Sequence, residues 1–144
     1  MTARENKALV RHFIHLALTE KDPVAAAAFL APEFTHNGFT CTREQWVAIA
    51  MKRCDYFGDL RVVIEDLIGE GDRVVSRLTI QAVHVGGWPV AGYGVVKRTG
   101  QSLVRRYIDI YRLVDGLIAE IWEQTNILEV LQQLGEVIRP PEAR

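Results

Sequence analysis

The chain has no apolar run of about 18 residues, the length a helix needs to cross a bilayer, so nothing in it reads as a membrane span. It has no dense Lys/Arg tract, and a formal net charge of −1 offers no basic footprint for nucleic acid. Its two cysteines, Cys41 and Cys54, show neither C-x-x-C nor metal-ligand spacing. They read as reduced thiols, Cys54 on an apolar helix face, as in a cytosolic protein. A secretory leader is not expected, because Arg4, Glu5, Lys7 and Arg11 interrupt the N-terminus. Cytoplasm is the expected compartment. Repeats, linkers and low-complexity segments are also missing. What is present is ordinary globular composition: 144 residues, 49% hydrophobic and 24% charged. That is enough for one domain over 1–144 with its own core, followed by a loose tail from about residue 136.

The first half reads as helices. From about Ala3 to Glu20, Leu9, Val10, Phe13, Ile14, Ala17 and Leu18 recur at helical spacing. Lys21-Asp22-Pro23 breaks this helix, and Pro23 suits the first turn of a second, alanine-rich helix ending before Pro32. Phe34–Cys41 has turn chemistry around Asn37-Gly38. Thr42 with Gln45 forms the pattern of a capping box, opening a third helix predicted to turn Trp46, Ile49, Ala50 and Cys54 inward.

After Gly58 the apolar period becomes two. Leu60–Ile68 and Arg73–Val85 read as strands around a turn at Gly69–Asp72. Gly86–Gly94 is a Gly-rich connection carrying Trp88. Ser102–Val114 and Leu117–Gln124 follow as strands joined at Asp115-Gly116, the strongest hairpin signal in the chain. Ile127–Leu134 is a short last helix ending at Gly135, with Pro140-Pro141 beyond it. Helices followed by antiparallel strands imply an α+β fold: a cone-shaped α+β barrel, with N-terminal helices packed in a bent, mostly antiparallel sheet.

Such a cone has a pocket at its open end, lined by one face of each strand. If Asp109 pairs opposite Glu123 around the Asp115-Gly116 turn, one face carries Tyr107, Asp109, Tyr111, Ala119, Ile121 and Glu123. The other carries Ile108, Ile110, Arg112, Glu120 and Trp122. A one-residue slip would rearrange the partners. In this register two carboxylates meet across adjacent strands, and like charges in a poorly solvated cavity do not both ionise easily. That is one way to build an acid–base pair near neutral pH. The alternative is that both face water or pair with Arg105, Arg106 or Arg112. Arg77 either joins a pocket carboxylate or faces solvent. His36 and Asn37 are either donors at the pocket rim or plain turn residues. Trp88 is a lid or a loop anchor. His12 and His15 share a helix face without a sensibly spaced third ligand, so a helix surface is expected and no metal.

The segments Asn6–Gly38, Val83–Gly87 (VHVGG), Asp109–Asn126 (DIYRLVDGLIAEIWEQTN) and Leu128–Gly135 together resemble the SnoaL-like polyketide cyclases of the nuclear transport factor 2-like superfamily. The resemblance spans nearly the whole chain. It implies a small-molecule pocket and intramolecular aldol ring closure, with the last-strand acid at Glu123, five residues past Ile118. In those cyclases that acid is an aspartate, and the glutamine and histidine of the preceding strand fall here at Tyr107 and Asp109. A related branch, the limonene-type epoxide hydrolases, uses an Arg-x-Asp pair. Here that pair reads Arg77-Leu78-Thr79, which speaks against epoxide hydrolysis. Isomerisation stays open, with Tyr107 or Tyr111 as oxyanion donor and Glu123 or Asp109 as base.

The expectation is a cofactor-independent enzyme acting on a small apolar or aromatic carbonyl compound by ring closure or isomerisation, that is, lyase or isomerase chemistry. Glu123 and Asp109 would be catalytic, and Arg77, His36, Asn37, Tyr107, Tyr111 and Trp88 would bind substrate. The alternative is a non-catalytic binding module of the same fold. A homodimer through the outer sheet face, near Ile110 and Trp122, fits either.

Overall fold

The computed structural model describes residues 1–137; the proline pair and most of the expected tail lie outside them. Helix α1 (Ala3–Ile14) starts in a capping box between Thr2 and Glu5 and buries Val10, Phe13 and Ile14. It does not continue as an α-helix to Glu20. His15–Thr19 widen into a π-helical turn. Helix α2 (Pro23–Ala27) is capped by the Asp22 side chain on the Ala25 N–H. It is shorter than expected, because Leu30 and Phe34 are drawn into the core as part of strand β1 (Leu30–His36).

Strand β1 turns through Asn37-Gly38 into β2 (Phe39–Thr42), with both turn residues at positive φ, 49° and 84°. That twist suits a tight hairpin, and Asn-Gly supplies it at little strain. The expected turn is present, but its flanks are strands. Helix α3 (Arg43–Tyr56) opens with the Thr42–Gln45 capping box. Its inward face differs from the expected one. Ala50 is buried and Trp46 and Arg53 are half-buried, whereas Ile49 and Cys54 are exposed. The run Ala48-Ile49-Ala50-Met51 is apolar all round and selects no face, so packing decides.

Strands β3 (Phe57–Glu70), β4 (Arg73–His84), β7 (Ser102–Val114) and β8 (Leu117–Thr125) form the body of one sheet, ordered β2-β1-β8-β7-β4-β3. All pairings are antiparallel except β1 with β8. The sheet curves around α1 and is not closed, with β2 and β3 as its edges. The Gly-rich connection is a small hairpin, β5 (Trp88–Val90) and β6 (Gly94–Val96), rather than an open loop. Its Trp88, Val90 and Val96 form a second core with Phe57, Leu103 and helix α4 (Ile127–Gln133). The main core lies between α1 and the concave face, where Val10, Leu30, Val74 and Ile118 are fully buried. Each such side chain contributes roughly 1.5–3 kcal/mol.

Candidate functional site

Alternation along the strands decides which side chains face the concavity. On β7 these are the odd residues, so Leu103, Arg105, Tyr107, Asp109 and Tyr111 point inward. On β4 the even residues do, from Val74 to Ala82. Cross-strand pairing then makes rows: Ser76, Asp109 and Glu123 share one, and Leu78, Tyr107 and Thr125 the next.

The opposition of Asp109 and Glu123 depends on an irregularity. The turn sets Val114 against Leu117 and Leu113 against Ile118, after which Arg112 pairs with Glu120. Ala119 is the extra residue of a β-bulge. With regular pairing from the same turn, Asp109 would face Trp122, and Glu123 would lie on the other face.

Around this pair the groups are tightly set. Asp109 is 5% exposed. Tyr111 Oη donates to its Oδ2 at 3.3 Å, while Oδ1 has no partner among the described residues. Burial first, and the negative charge of Glu123 second, push the Asp109 carboxyl up to about 8. At neutral pH it is a neutral acid. Glu123 is about one-third exposed, and its Oε2 lies 3.4 Å from His36 Nε2. That contact, more than the opposing effect of burial, holds the His36 imidazolium above its ordinary pKa. Tyr111 is buried beneath the pair and held well above the usual phenol range, mainly by desolvation.

A cavity opens on these groups. One lobe is walled by Leu60, Leu78 and Ile80 and carries Arg105, Tyr107 and Asp109. A second lobe reaches His36, Tyr111 and Trp46 and shares Asp109 and Glu123 with the first. Leu18 lines both, brought there by the π-helical turn. Such turns often occur at functional sites.

The structure therefore brings together Glu123, Asp109, His36, Tyr107 and Tyr111. Asn37 serves the site indirectly: it is exposed, and its Oδ1 accepts the Glu123 backbone N–H at 2.7 Å. Arg77 is not in the cavity. It has the opposite parity to Ser76 and Leu78, so it lies on the convex face, where its Nε donates to Asp66 at 2.6 Å. Thr79 shares that face. Trp88 is neither lid nor lining; it is 7% exposed and packs edge-on against Phe57 behind the cavity wall. His12 leans on Phe29, and His15 bonds Glu20 at the surface. Sequence reading missed Arg105 and Arg53 as cavity residues. Parity with Tyr107 and Asp109 could have found the first.

A model of the SnoaL-like polyketide cyclase family matches residues 8–134. In structure the chain is similar to TsrD from Streptomyces laurentii, at 28% identity and TM-score 0.81, over 95% of this chain and 99% of that one. It is also similar to AclR from Streptomyces galilaeus, provisionally described as a hydroxylase, at 24% identity and TM-score 0.82, over 98% and 91%. A protein of a Jannaschia species, provisionally described as a SnoaL-like polyketide cyclase, aligns at 22% identity and TM-score 0.79, over 96% and 95%. The last two likenesses speak for the fold alone. No curated protein matches the chain.

Proposed function

The chain belongs to the SnoaL-like polyketide cyclase family, and from that premise we propose that it is a cofactor-independent enzyme acting on a small carbonyl compound. The observation that carries this reading is the cavity-lining pair of carboxyls on neighbouring strands, Asp109 buried and neutral, Glu123 opposite it and more exposed. Glu123 takes the proton from the carbon next to a carbonyl. The C–H electron pair forms the enol double bond, and the carbonyl oxygen receives the proton of Asp109. In ring closure the enol carbon then attacks a second carbonyl of the same molecule, whose oxygen is protonated by Glu123, while Asp109 recovers its proton from the enol oxygen. In isomerisation Glu123 returns its proton to a different carbon. His36 steadies the Glu123 carboxylate, and Tyr107 and Tyr111 shape the oxygen-binding side. Among the described residues no helix is long and apolar enough to cross a membrane. Cytoplasm is the proposed compartment, and a homodimer through the face bearing the exposed Ile110 and Trp122 is the proposed assembly.

The test needs no natural substrate. Incubated with 2-tetralone in deuterated buffer, the protein should speed exchange of the α-hydrogens, followed by proton NMR. Glu123→Gln should reduce the enzyme-dependent rate ~10²–10⁴-fold. Full exchange in Glu123→Gln would sink the assignment. A second reading, a non-catalytic binder, is favoured by the engagement of Glu123 by His36 at rest. It takes precedence if no carbonyl compound that binds undergoes exchange above background.

A further inference from the structure

The cavity holds two guanidinium groups that the proton chemistry leaves unused. Arg105 stands across from Ile80 on the concave face. Its guanidinium carbon lies 5.7 Å from the Phe57 ring centroid, 5.1 Å from that of Trp88 and 4.8 Å from that of Tyr107. Three rings thus fix its position. Its Nε is buried and has no hydrogen-bond partner among the described residues. Arg53 reaches both lobes from α3. Among the described residues neither arginine forms an ion pair.

The neighbours do not neutralise them. Asp109 is uncharged near neutrality, and Glu123 is engaged by His36. Tyr107, although flanked by both arginines, is pushed up to about 12 by burial, so its phenol carries no charge. A cation held among rings with an unmet N–H is costly unless something supplies the missing charge and acceptor. No described protein group does.

We infer that the cavity takes an organic carboxylate, anchored by Arg105 with Arg53 adding a second charge, whose far end presents its reactive carbon to Asp109 and Glu123. The orientation rests on the proposed function; the anchor does not. Arg105 and Asp109 are four residues apart on one strand, about 13 Å at the backbone, which a rigid one- or two-ring acid can bridge. Tyr107 stands between them, offering a ring to stack on. A planar guanidinium matches a planar carboxylate through two parallel hydrogen bonds.

Calorimetry of the whole protein with 2-naphthoate and its methyl ester tests this. The acid should bind about 10- to 100-fold more tightly than the ester at low salt, and Arg105→Gln should bring the acid down to the ester's affinity. Arg53→Gln should lose less and keeps the test alive if Arg105→Gln fails to fold. Arg77→Gln, on the convex face, should preserve the gap between acid and ester. A protein that prefers the acid yet exchanges no α-hydrogens would support the anchor and defeat the catalytic reading. Equal affinity for acid and ester, no binding of the acid at millimolar concentration, or indifference to both arginine substitutions would overturn the anchor.

Discussion

The two faces of strand β7 carry the same kinds of side chain and treat charge in opposite ways. On the convex face Arg106 bonds Glu129 and Arg112 bonds Glu120, both at 2.9 Å, and next door on β4 Arg77 bonds Asp66. Glu120 also accepts from the Trp122 indole and is held below the usual carboxylate range, chiefly by Arg112. On the concave face, among the described residues, Arg105 pairs with no acid and Asp109 with no base. Acids and arginines stand at separate positions along the strand, and one carboxyl keeps its proton instead of finding a cation. The convex face neutralises itself in water, where such pairs contribute little. The concave face leaves an arginine and a protonated carboxyl unmatched among the described residues.

That contrast can be broken by moving residues between faces. The largest effect is expected from one alanine inserted between Ile121 and Trp122. It sends Glu123 to the convex face and Trp122 into the cavity, so exchange activity should vanish and the thermal midpoint should fall. Unchanged activity would mean that the register does not matter. Next comes Glu123→Gln, with its ~10²–10⁴-fold loss and little change in folding, checked by the same NMR assay alongside circular dichroism.

Asp109→Asn sharpens the contrast through pH. The folded pKa of about 8 lies above the ordinary value of 3.8, so between them the folded chain keeps a proton that the unfolded chain has released. The stabilising contribution is whole below about pH 4, declines by about 1.4 kcal/mol per pH unit, and is lost above pH 8. Asp109→Asn should abolish most of that decline and be the more stable protein at pH 9, as read from urea midpoints. Parallel pH profiles for the two proteins would remove the buried acid from the account. The smallest effect belongs to Arg77→Gln. Its exposed pair with Asp66 should be worth about 0–1 kcal/mol, with exchange and binding unaltered.

Much of the fold was legible because period and turn chemistry agree: the Thr42 capping box, the Asp115-Gly116 hairpin and the long alternating strands all stand where the residues indicate. The candidate site was legible where alternation could be counted from that hairpin. The pairing of Asp109 with Glu123 was assumed rather than deduced, however, because the bulge at Ala119 leaves no clear mark in the residue types. For Arg77 both pocket and solvent stay open in the sequence, although its parity against Ser76 and Leu78 decides for the convex face. By the same parity Arg105 belongs with Tyr107 and Asp109, and was passed over. Arg53 was beyond reach, since α3 is apolar on more than one side. So was the π-helical turn that brings Leu18 to the cavity, because its residues keep an ordinary helical pattern. Trp88 was left between lid and anchor because a Gly-rich stretch does not reveal whether it folds back into a second core.

The proposed chemistry stands on one carboxyl of the concave face holding its proton through neutrality while a second one faces it. Carbon-13 NMR of the carboxyl groups, with Asp109→Asn used to assign the resonance, tests it most directly. A step near pH 8 should appear, disappear in Asp109→Asn and move down in Glu123→Gln, as the facing negative charge is removed. A resonance assigned to Asp109 that titrates near pH 4, unmoved by Glu123→Gln, would contradict it.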